Sequence, residues 1–303
     1  MNENLDYLFN EEQETKTDKT QPERLSGEDY AAKKEAERQT VYDLADNTAK
    51  AVATNGTAFQ SYLNTMSRFE LYSPTNTLLI YAQRPDATRL RDYDKWKEAG
   101  TPVKEKGAIM IIEREDYKRD DSSTGYNYNV KKLFDISQTT AKPSEPPKAL
   151  SIKLLCQALI KSSTSKVVLV NELSGDAKGT TGAQYIPEID QIEIVKGLDG
   201  QSIFRCLSQE IAFANLDHIP AEKLPCNDKD FTAYAASYAL CQKYGIDTKD
   251  YNFSKVPEYF SNVEDKDLRK EIGAVRDTVA DISSEMSKSI EQLQKAAKNQ
   301  DAR

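Results

Sequence analysis

Apolar side chains recur every three or four positions through much of the first half of the chain, the spacing typical of amphipathic helices. The predicted helices cover residues 26–53, 59–69, 74–84 and 93–99. Two later runs, residues 108–112 and 126–136, have the apolar or alternating pattern of strands and flank a polar turn. The first half therefore predicts a helical domain that carries a β-hairpin.

The second half of the chain contains both patterns, the three-to-four-residue spacing of helices and the short apolar or alternating runs of strands. Its predicted elements are helices over residues 150–161, 200–216 and 228–244, a short strand over 166–170, and a hairpin over 183–186 and 191–195 after a glycine-rich stretch at 175–182. A last helix over residues 265–297 carries a long apolar stripe. Its members are Leu268, Ile272, Val275, Val279, Ile282, Met286, Ile290 and Leu293. Such a stripe either packs on its own domain or forms a coiled coil with a second copy.

These elements predict an α+β fold with two domains, a small sheet in each and a long C-terminal helix. The predicted divisions are a disordered acidic tail at 1–25, a first domain at 26–140, a proline-rich linker at 141–149, a second domain at 150–262 and the last helix at 263–303.

Composition restricts the class of protein. The 303 residues have 38% hydrophobic and 30% charged side chains, and the longest apolar runs are much shorter than the roughly 20 residues that span a bilayer. The first residues lack the basic and apolar regions of a signal peptide. Four widely spaced cysteines favour reduced thiols. We therefore expect a cytoplasmic protein without membrane contact.

Charge is unevenly distributed along the chain. The net charge is -8, yet residues 26–142 carry 18 basic and 18 acidic groups. A segment of balanced charge can still present a basic face to nucleic acid. Between Tyr81 and Lys106, cations alternate with aromatic rings, which is the chemistry of sequence-tolerant single-strand binding. The candidate DNA-binding residues are Asn76, Tyr81, Arg84, Arg89, Arg91, Trp96, Lys104 and Lys106.

Four segments together resemble a known family. Residues 72–88, 93–96, 104–109 and 134–139 are similar, in order, to the N-terminal single-stranded-DNA-binding domain of ArdC-type antirestriction proteins, which belong to plasmids and integrative conjugative elements. The resemblance implies binding to single-stranded DNA without strict sequence choice, and protection of incoming DNA during conjugation.

In that family a zinc metallopeptidase-like domain follows. Residues 182–185, 191–194 and 238–247 resemble its strand pair and a later helix, and residues 207–214 align with its H-E-x-x-H helix. The alignment places Gln209 and Phe213 where the histidines stand and retains Glu210. Near the expected acidic ligand, the sequence has Thr232, Ala233 and Tyr234.

The single histidine, His218, sharpens this comparison. Zinc catalysis on such a helix needs two imidazoles four residues apart and a third ligand. His218 has no second histidine beside it, and glutamine and phenylalanine cannot replace the missing pair. The sequence therefore predicts a peptidase-like domain without metal, cofactor or catalytic residues.

Three functions remain open on the sequence. The first is single-stranded DNA binding by occupancy, in an accessory or antirestriction-type protein of a mobile element. The second is a protein-interaction module that binds a host or element-encoded partner through the altered peptidase groove or the C-terminal helix, without DNA. The third is a residual hydrolase.

Overall fold

A computed structural model describes residues 26–119, 122–142, 149–175 and 182–301 of the chain. The predicted acidic tail, most of the predicted linker and most of the glycine-rich stretch lie outside these residues. Packing divides the chain into two compact units. Residues 26–42 and 88–142 belong to the first, here called the ribbon unit. Residues 43–87 and those from 149 onward belong to the second, here called the core unit.

The ribbon unit is built on a three-stranded antiparallel sheet. Its elements are the first part of α1 (Gly27–Ala53), β1 (Leu90–Arg91), α4 (Tyr93–Glu98), β2 (Ile109–Lys118) and β3 (Thr124–Asp135), with the strand order β1-β3-β2. The predicted hairpin is confirmed, although both strands extend further into the polar turn than the apolar pattern indicated. β1 was not predicted, because two residues carry no periodicity.

A buried carboxylate holds the base of this sheet together. Asp135 lies at the end of β3 and accepts hydrogen bonds from the amides of Thr88 at 2.7 Å, Arg89 at 2.8 Å and Ser137 at 2.9 Å. Burial raises the pKa of Asp135, but these hydrogen bonds outweigh it and hold the pKa below its usual range.

The core unit places helices around a second small sheet. Its elements are the end of α1, α2 (Gly56–Met66), α3 (Pro74–Gln83), α5 (Ile152–Ser162), β4 (Lys166–Val170), β5 (Ala183–Ile186), β6 (Gln191–Val195), α6 (Gly200–Asp217), α7 (Lys229–Tyr244), α8 (Val256–Phe260) and α9 (Leu268–Asp301). The strand order is β4-β6-β5, with β4 parallel and β5 antiparallel to β6. The predicted hairpin and long helices are confirmed, whereas α8 and the parallel pairing were not predicted.

Helix ends in this unit follow local capping chemistry. Asn55, Ser73, Asp199 and Asp228 each accept amide hydrogen bonds at the start of a helix, and Gly245 ends α7 with a left-handed backbone at φ 71°. These signals are readable in the sequence, which explains why the observed bounds lie close to the predicted ones.

The packing division differs from the predicted first domain. α2 and α3 pack in the core unit because Phe59 lies among the rings of Phe231, Phe253 and Phe260, with centroid distances of 5.5 to 5.8 Å. The packing units do not test whether residues 26–140 and 150–262 are separate family domains, so these boundaries stay a prediction.

The stripe of the last helix is used inside the chain. Six of its eight members, from Leu268 to Met286, are buried, and Ile290 and Leu293 pack partly buried on the same core. Of the two roles predicted for the stripe, packing within its own unit is therefore the one observed. Among the described residues, no helix is both long enough and apolar enough to cross a bilayer.

Candidate nucleic-acid interface

The β2–β3 hairpin carries exposed aromatic side chains. Its first part is buried through Ile109–Ile112, whereas residues 113–118 of β2 and residues 124 and 126–128 of β3 are exposed. The register pairs Arg114 with Tyr128 and Asp116 with Tyr126. Side chains of paired and alternate residues share a face of a sheet. One face therefore presents a set that we call the tyrosine face. It consists of Arg114, Asp116, Lys118, Tyr126, Tyr128 and Lys132.

The two tyrosines on this face are available to solvent. Tyr126 is 54% exposed and Tyr128 is 45% exposed, and their ring centroids lie 5.8 Å apart at 78°. The Arg114 guanidinium carbon lies 4.4 Å from the centroid of Tyr126, and its Nε donates to Asp116 at 2.8 Å. With Lys118 and Lys132, the face has three cations and one acid. It can offer ring surfaces and positive charge together.

The opposite face of the hairpin differs in charge. Lys131 pairs with Glu113 at 2.7 Å, and Glu115 accepts a hydrogen bond from Asn129. The ring of Tyr117 lies over Gly125, where an added Cβ would come within 2.6 Å of the ring. With Arg119, whose Nε also lies beside Gly125, this face has two acids and two cations. Its tyrosine, Tyr117, is 43% exposed but has its ring against backbone.

Four of the predicted DNA-binding residues lie on the surface of the ribbon unit. Arg89, Arg91, Lys104 and Lys106 are exposed. Trp96 is only 2% exposed, its Nε1 donates to the Phe134 carbonyl at 2.8 Å, and the Arg91 guanidinium covers its ring at 5.0 Å. Trp96 thus serves as a core anchor whose indole N–H is satisfied, and we leave it out of the proposed interface.

The remaining three lie in the core unit. Asn76 is buried in the first turn of α3, where its backbone N–H donates to the Ser73 hydroxyl. Tyr81 is half-buried, with its ring edge-on to Tyr62 and its hydroxyl donating to the Ala58 carbonyl at 3.3 Å. Arg84 is the C-cap of α3 and is half-buried. The predicted set is therefore divided between two units.

Tyr126 and Tyr128 are not among the DNA-binding residues predicted from the sequence. The signal was present, since two tyrosines two positions apart in a strand must share a face. What the alternation did not reveal is that this face is exposed and that Arg114, twelve positions earlier, lies against it.

The helix that the sequence aligns with an H-E-x-x-H helix is α6, and its glutamate has a structural partner. The Tyr185 amide in β5 donates to Glu210 at 2.8 Å. The amide of Val195 donates to the Gly182 carbonyl, so alternate residues of β5 face β6 and Tyr185 directs its N–H away from it. Glu210 therefore satisfies an amide on the outer side of β5 and ties this strand to α6.

The other positions of the aligned zinc site do not fit a metal. Phe213 packs its ring 6.2 Å from that of Tyr185 and has no donor atom, and an amide such as that of Gln209 is a poor zinc ligand. Thr232 is buried and donates to the Asp228 carbonyl, and the Tyr234 hydroxyl accepts from the Asn252 amide at 2.7 Å. Within the described ranges, no three His, Cys, Asp or Glu side chains group as metal ligands would.

His218 has a local role at the C-cap of α6. Its Nε2 lies 2.9 Å from Asp190, and its Nδ1 lies 3.3 Å from the Thr164 hydroxyl. Ser165 also donates to Asp190 at 2.6 Å. The hydrogen bonds from Ser165 and then His218 hold the pKa of Asp190 below its usual range. The cluster connects the end of α6 to the β5–β6 turn.

Comparison with known sequences finds only low sequence identity. No family model matches the chain. An uncharacterized protein of Bacillus anthracis is 26% identical over 298 aligned positions, and the match covers 77% of this chain and 48% of that protein. The chain thus spans about half the length of this curated relative.

Solved structures similar to this chain include the antirestriction protein ArdC from the R388 plasmid in two forms. The metal-free structure has a TM-score of 0.44 and 16% identity, covering 75% of this chain and 86% of the solved chain. The Mn(II)-bound structure has a TM-score of 0.47 and 12% identity, covering 74% and 97%. These solved structures are of the ArdC type that the sequence resembles.

Proposed function

We propose that this protein binds single-stranded DNA, with low sequence specificity, through the tyrosine face of its ribbon unit. The observation that carries the proposal is the exposed pair Tyr126 and Tyr128, with Arg114 over one ring and lysines on the same face. Unpaired bases stack on such rings, while cations neutralise the phosphates between them. Stacking is tolerant of sequence because every base has a ring face.

The exposed cations that the sequence predicted extend this interface within the ribbon unit. Arg89, Arg91, Lys104 and Lys106 supply positive charge but no stacking surface. We propose that they contact phosphates and add affinity without sequence preference.

The biological setting follows from the resemblance to ArdC-type proteins. We propose an accessory or antirestriction-type protein of a mobile genetic element that protects DNA by occupying it. Turnover is not part of the proposal, because Gln209 and Phe213 cannot supply the ligands that a zinc peptidase needs. Glu210 acts instead as the structural partner of Tyr185.

The interaction-module alternative has less support. The stripe of α9 is buried against its own core, and the Tyr185 amide on the outer side of β5 already has Glu210 as its acceptor. A partner would have to displace these contacts to use the same groups.

Fluorescence anisotropy with labelled oligo(dT) and a matched duplex tests the proposal. We expect Tyr126→Ala/Tyr128→Ala to weaken single-strand binding about 30-fold or more, since stacking contributes about 1–3 kcal/mol per base. Tyr126→Phe/Tyr128→Phe retains both rings and should bind as the native protein does. Tyr117→Ala changes a tyrosine on the opposite face and should have little effect.

Two results would contradict the proposal. One is the absence of single-strand binding by the native protein at low salt. The other is equal loss of affinity in Tyr117→Ala and in the tyrosine-face variant, with both proteins folded by circular dichroism.

In a salt titration of the same binding, Arg89→Ala/Lys104→Ala should reduce the slope of log affinity against log salt by about 0.7 for each phosphate contact removed. Arg84→Ala changes a predicted residue that lies in the core unit, and it should leave the affinity unchanged.

A further inference from the structure

The face of β3 that carries the two exposed tyrosines continues beyond them toward the base of the sheet. Val130, Lys132 and Phe134 follow at even positions and therefore share the face of Tyr126 and Tyr128. Lys132 is exposed and Phe134 is half-buried. From Tyr126 to Phe134 the strand covers roughly 27 Å, since each residue advances it by about 3.4 Å.

A further aromatic ring lies at the far end of this face. Tyr93, the first residue of α4, is 50% exposed, and its ring lies edge-on to Phe134 with centroids 6.3 Å apart at 69°. Arg91 is the register partner of Phe134 in β1, so it shares this face, and it is exposed. This end of the face therefore repeats the combination of an exposed ring and a cation that Tyr126 and Arg114 form near the turn.

We infer that a bound single strand of DNA follows β3 from the tyrosine face to Tyr93, where a further base stacks. The inference rests on the proposed single-strand binding and gives it a second stacking site, a course along the ribbon unit and a minimum length. Lys132 lies between the two stacking sites and Arg91 lies beside the second, so both neutralise phosphates of the strand.

The charge along this course suits a nucleic-acid backbone. Among its even positions from 126 to 134, β3 has one charged residue, and it is Lys132. Helix α4 carries two lysines and two acids, so it adds no net charge next to Tyr93. The carboxylate of Asp92 caps α4 and pairs with the Lys95 ammonium at 3.3 Å, so its charge is compensated locally.

Fluorescence anisotropy with labelled oligo(dT) of four and of twelve nucleotides tests the course. The shorter probe cannot stack on Tyr126, Tyr128 and Tyr93 together, whereas the longer probe spans them. We expect Tyr93→Ala to weaken binding of the longer probe about fivefold or more, because it removes one stacked base. Binding of the shorter probe should change by less than about twofold, since the tyrosine face remains available to it. Tyr93→Phe keeps the ring and should bind both probes as the native protein does.

Tyr30→Ala is the matched control. Tyr30 is a helical tyrosine of the same unit and is 56% exposed, but it borders a groove with Asn127 and Asn129, which lie at odd positions of β3. These positions belong to the opposite face of the hairpin. Tyr30→Ala should therefore leave the affinity for both probes unchanged, and circular dichroism of each variant checks that the fold is retained.

Photocrosslinking tests the same course on the native chain. The twelve-nucleotide probe with 5-iododeoxyuridine in place of thymidine should crosslink to Tyr93 as well as to Tyr126 or Tyr128, and not to Tyr30, when the digested complex is analysed by mass spectrometry.

Three results would overturn the second stacking site and leave the tyrosine face in place. They are native affinity of Tyr93→Ala for the longer probe, an equal loss for both probes, and crosslinks confined to Tyr126 and Tyr128. A native protein that binds neither probe at low salt would contradict the proposed function itself, and the inference with it.

Discussion

The two compact units use the same residue type in opposite ways. In the ribbon unit, Tyr126 and Tyr128 stand on an exposed face beside Arg114. In the core unit, Tyr62 and Tyr238 are fully buried, with their hydroxyls hydrogen-bonded to Thr77 and Asn64. Burial raises the pKa of Tyr62, and that of Tyr185 is raised to about 12 by burial and then by the nearby Asp190.

This contrast shows how tertiary context assigns the role of an aromatic residue. A buried tyrosine contributes apolar area and one satisfied hydrogen bond to stability. An exposed tyrosine on a β-ribbon contributes little to folding and leaves its ring available to a base. The predictions below test this difference from the largest expected effect to the smallest.

The largest effect is expected for Tyr238, which packs against Tyr251 and Phe253 at centroid distances of 5.3 and 5.1 Å. Tyr238→Ala should lower the free energy of unfolding by about 3–5 kcal/mol, because it leaves a cavity and removes the acceptor of Gln242. Tyr128→Ala, the matched change on the ribbon, should cost less than about 1 kcal/mol. Urea unfolding followed by circular dichroism measures both. Equal losses would contradict the assignment of Tyr128 to a surface role.

A smaller effect is expected for Asp135, the buried carboxylate of the ribbon unit. Asp135→Asn should lower the free energy of unfolding by about 1–3 kcal/mol at pH 7, because Thr88 and Arg89 donate to one carboxylate oxygen and Ser137 to the other. An amide keeps only one acceptor oxygen, so at least one of these donors loses its partner. The pKa of Asp135 is lowered in the folded protein, so its contribution is present above the unfolded value of about 3.9 and is lost as the pH falls through the folded value.

Stability measured against pH checks the sign of this effect. The difference between the native protein and Asp135→Asn should narrow as the pH falls below about 4. A difference that stays constant down to acid pH would show that the charge of Asp135 is not what stabilises the base of the sheet.

The smallest effect is expected for Glu210→Gln. Glu210→Gln keeps an oxygen that can accept from the Tyr185 amide, so the free energy of unfolding should fall by about 1 kcal/mol or less. Glu210→Ala removes the acceptor and should cost about 1–3 kcal/mol. Affinity for oligo(dT) should be unchanged in both. A large loss of a measured peptidase activity in Glu210→Gln, with stability unaffected, would show that the glutamate acts in catalysis.

Much of the fold could be predicted from the sequence because its signals are local. Helices α6 and α7 follow from their apolar period, the capping carboxylates Asp199 and Asp228, and the glycine after α7. The two hairpins follow from short apolar runs around polar turns. That Gln209 and Phe213 cannot serve as a pair of zinc-binding histidines also follows from the sequence alone.

The candidate interface could be predicted only in part. Arg89 and Lys104 were identified from charge, and both are exposed. Trp96 and Asn76 were also predicted to bind DNA but are buried, because position along a chain does not state which face of an element packs. Tyr126 and Arg114 come together only when two strands pair.

The sequence by itself determined the order of helices and strands, their caps and the absence of a histidine pair in α6. These properties depend on residues within a few positions of one another. Only the tertiary structure decided that α2 and α3 pack in the core unit and that β4 lies at a sheet edge. It also decided that Glu210 accepts from the Tyr185 amide, 25 positions away, and that Tyr126 and Tyr128 remain exposed. The physical reason is that burial, edge position and partner choice arise from contacts between distant segments, whose free energies no local pattern contains.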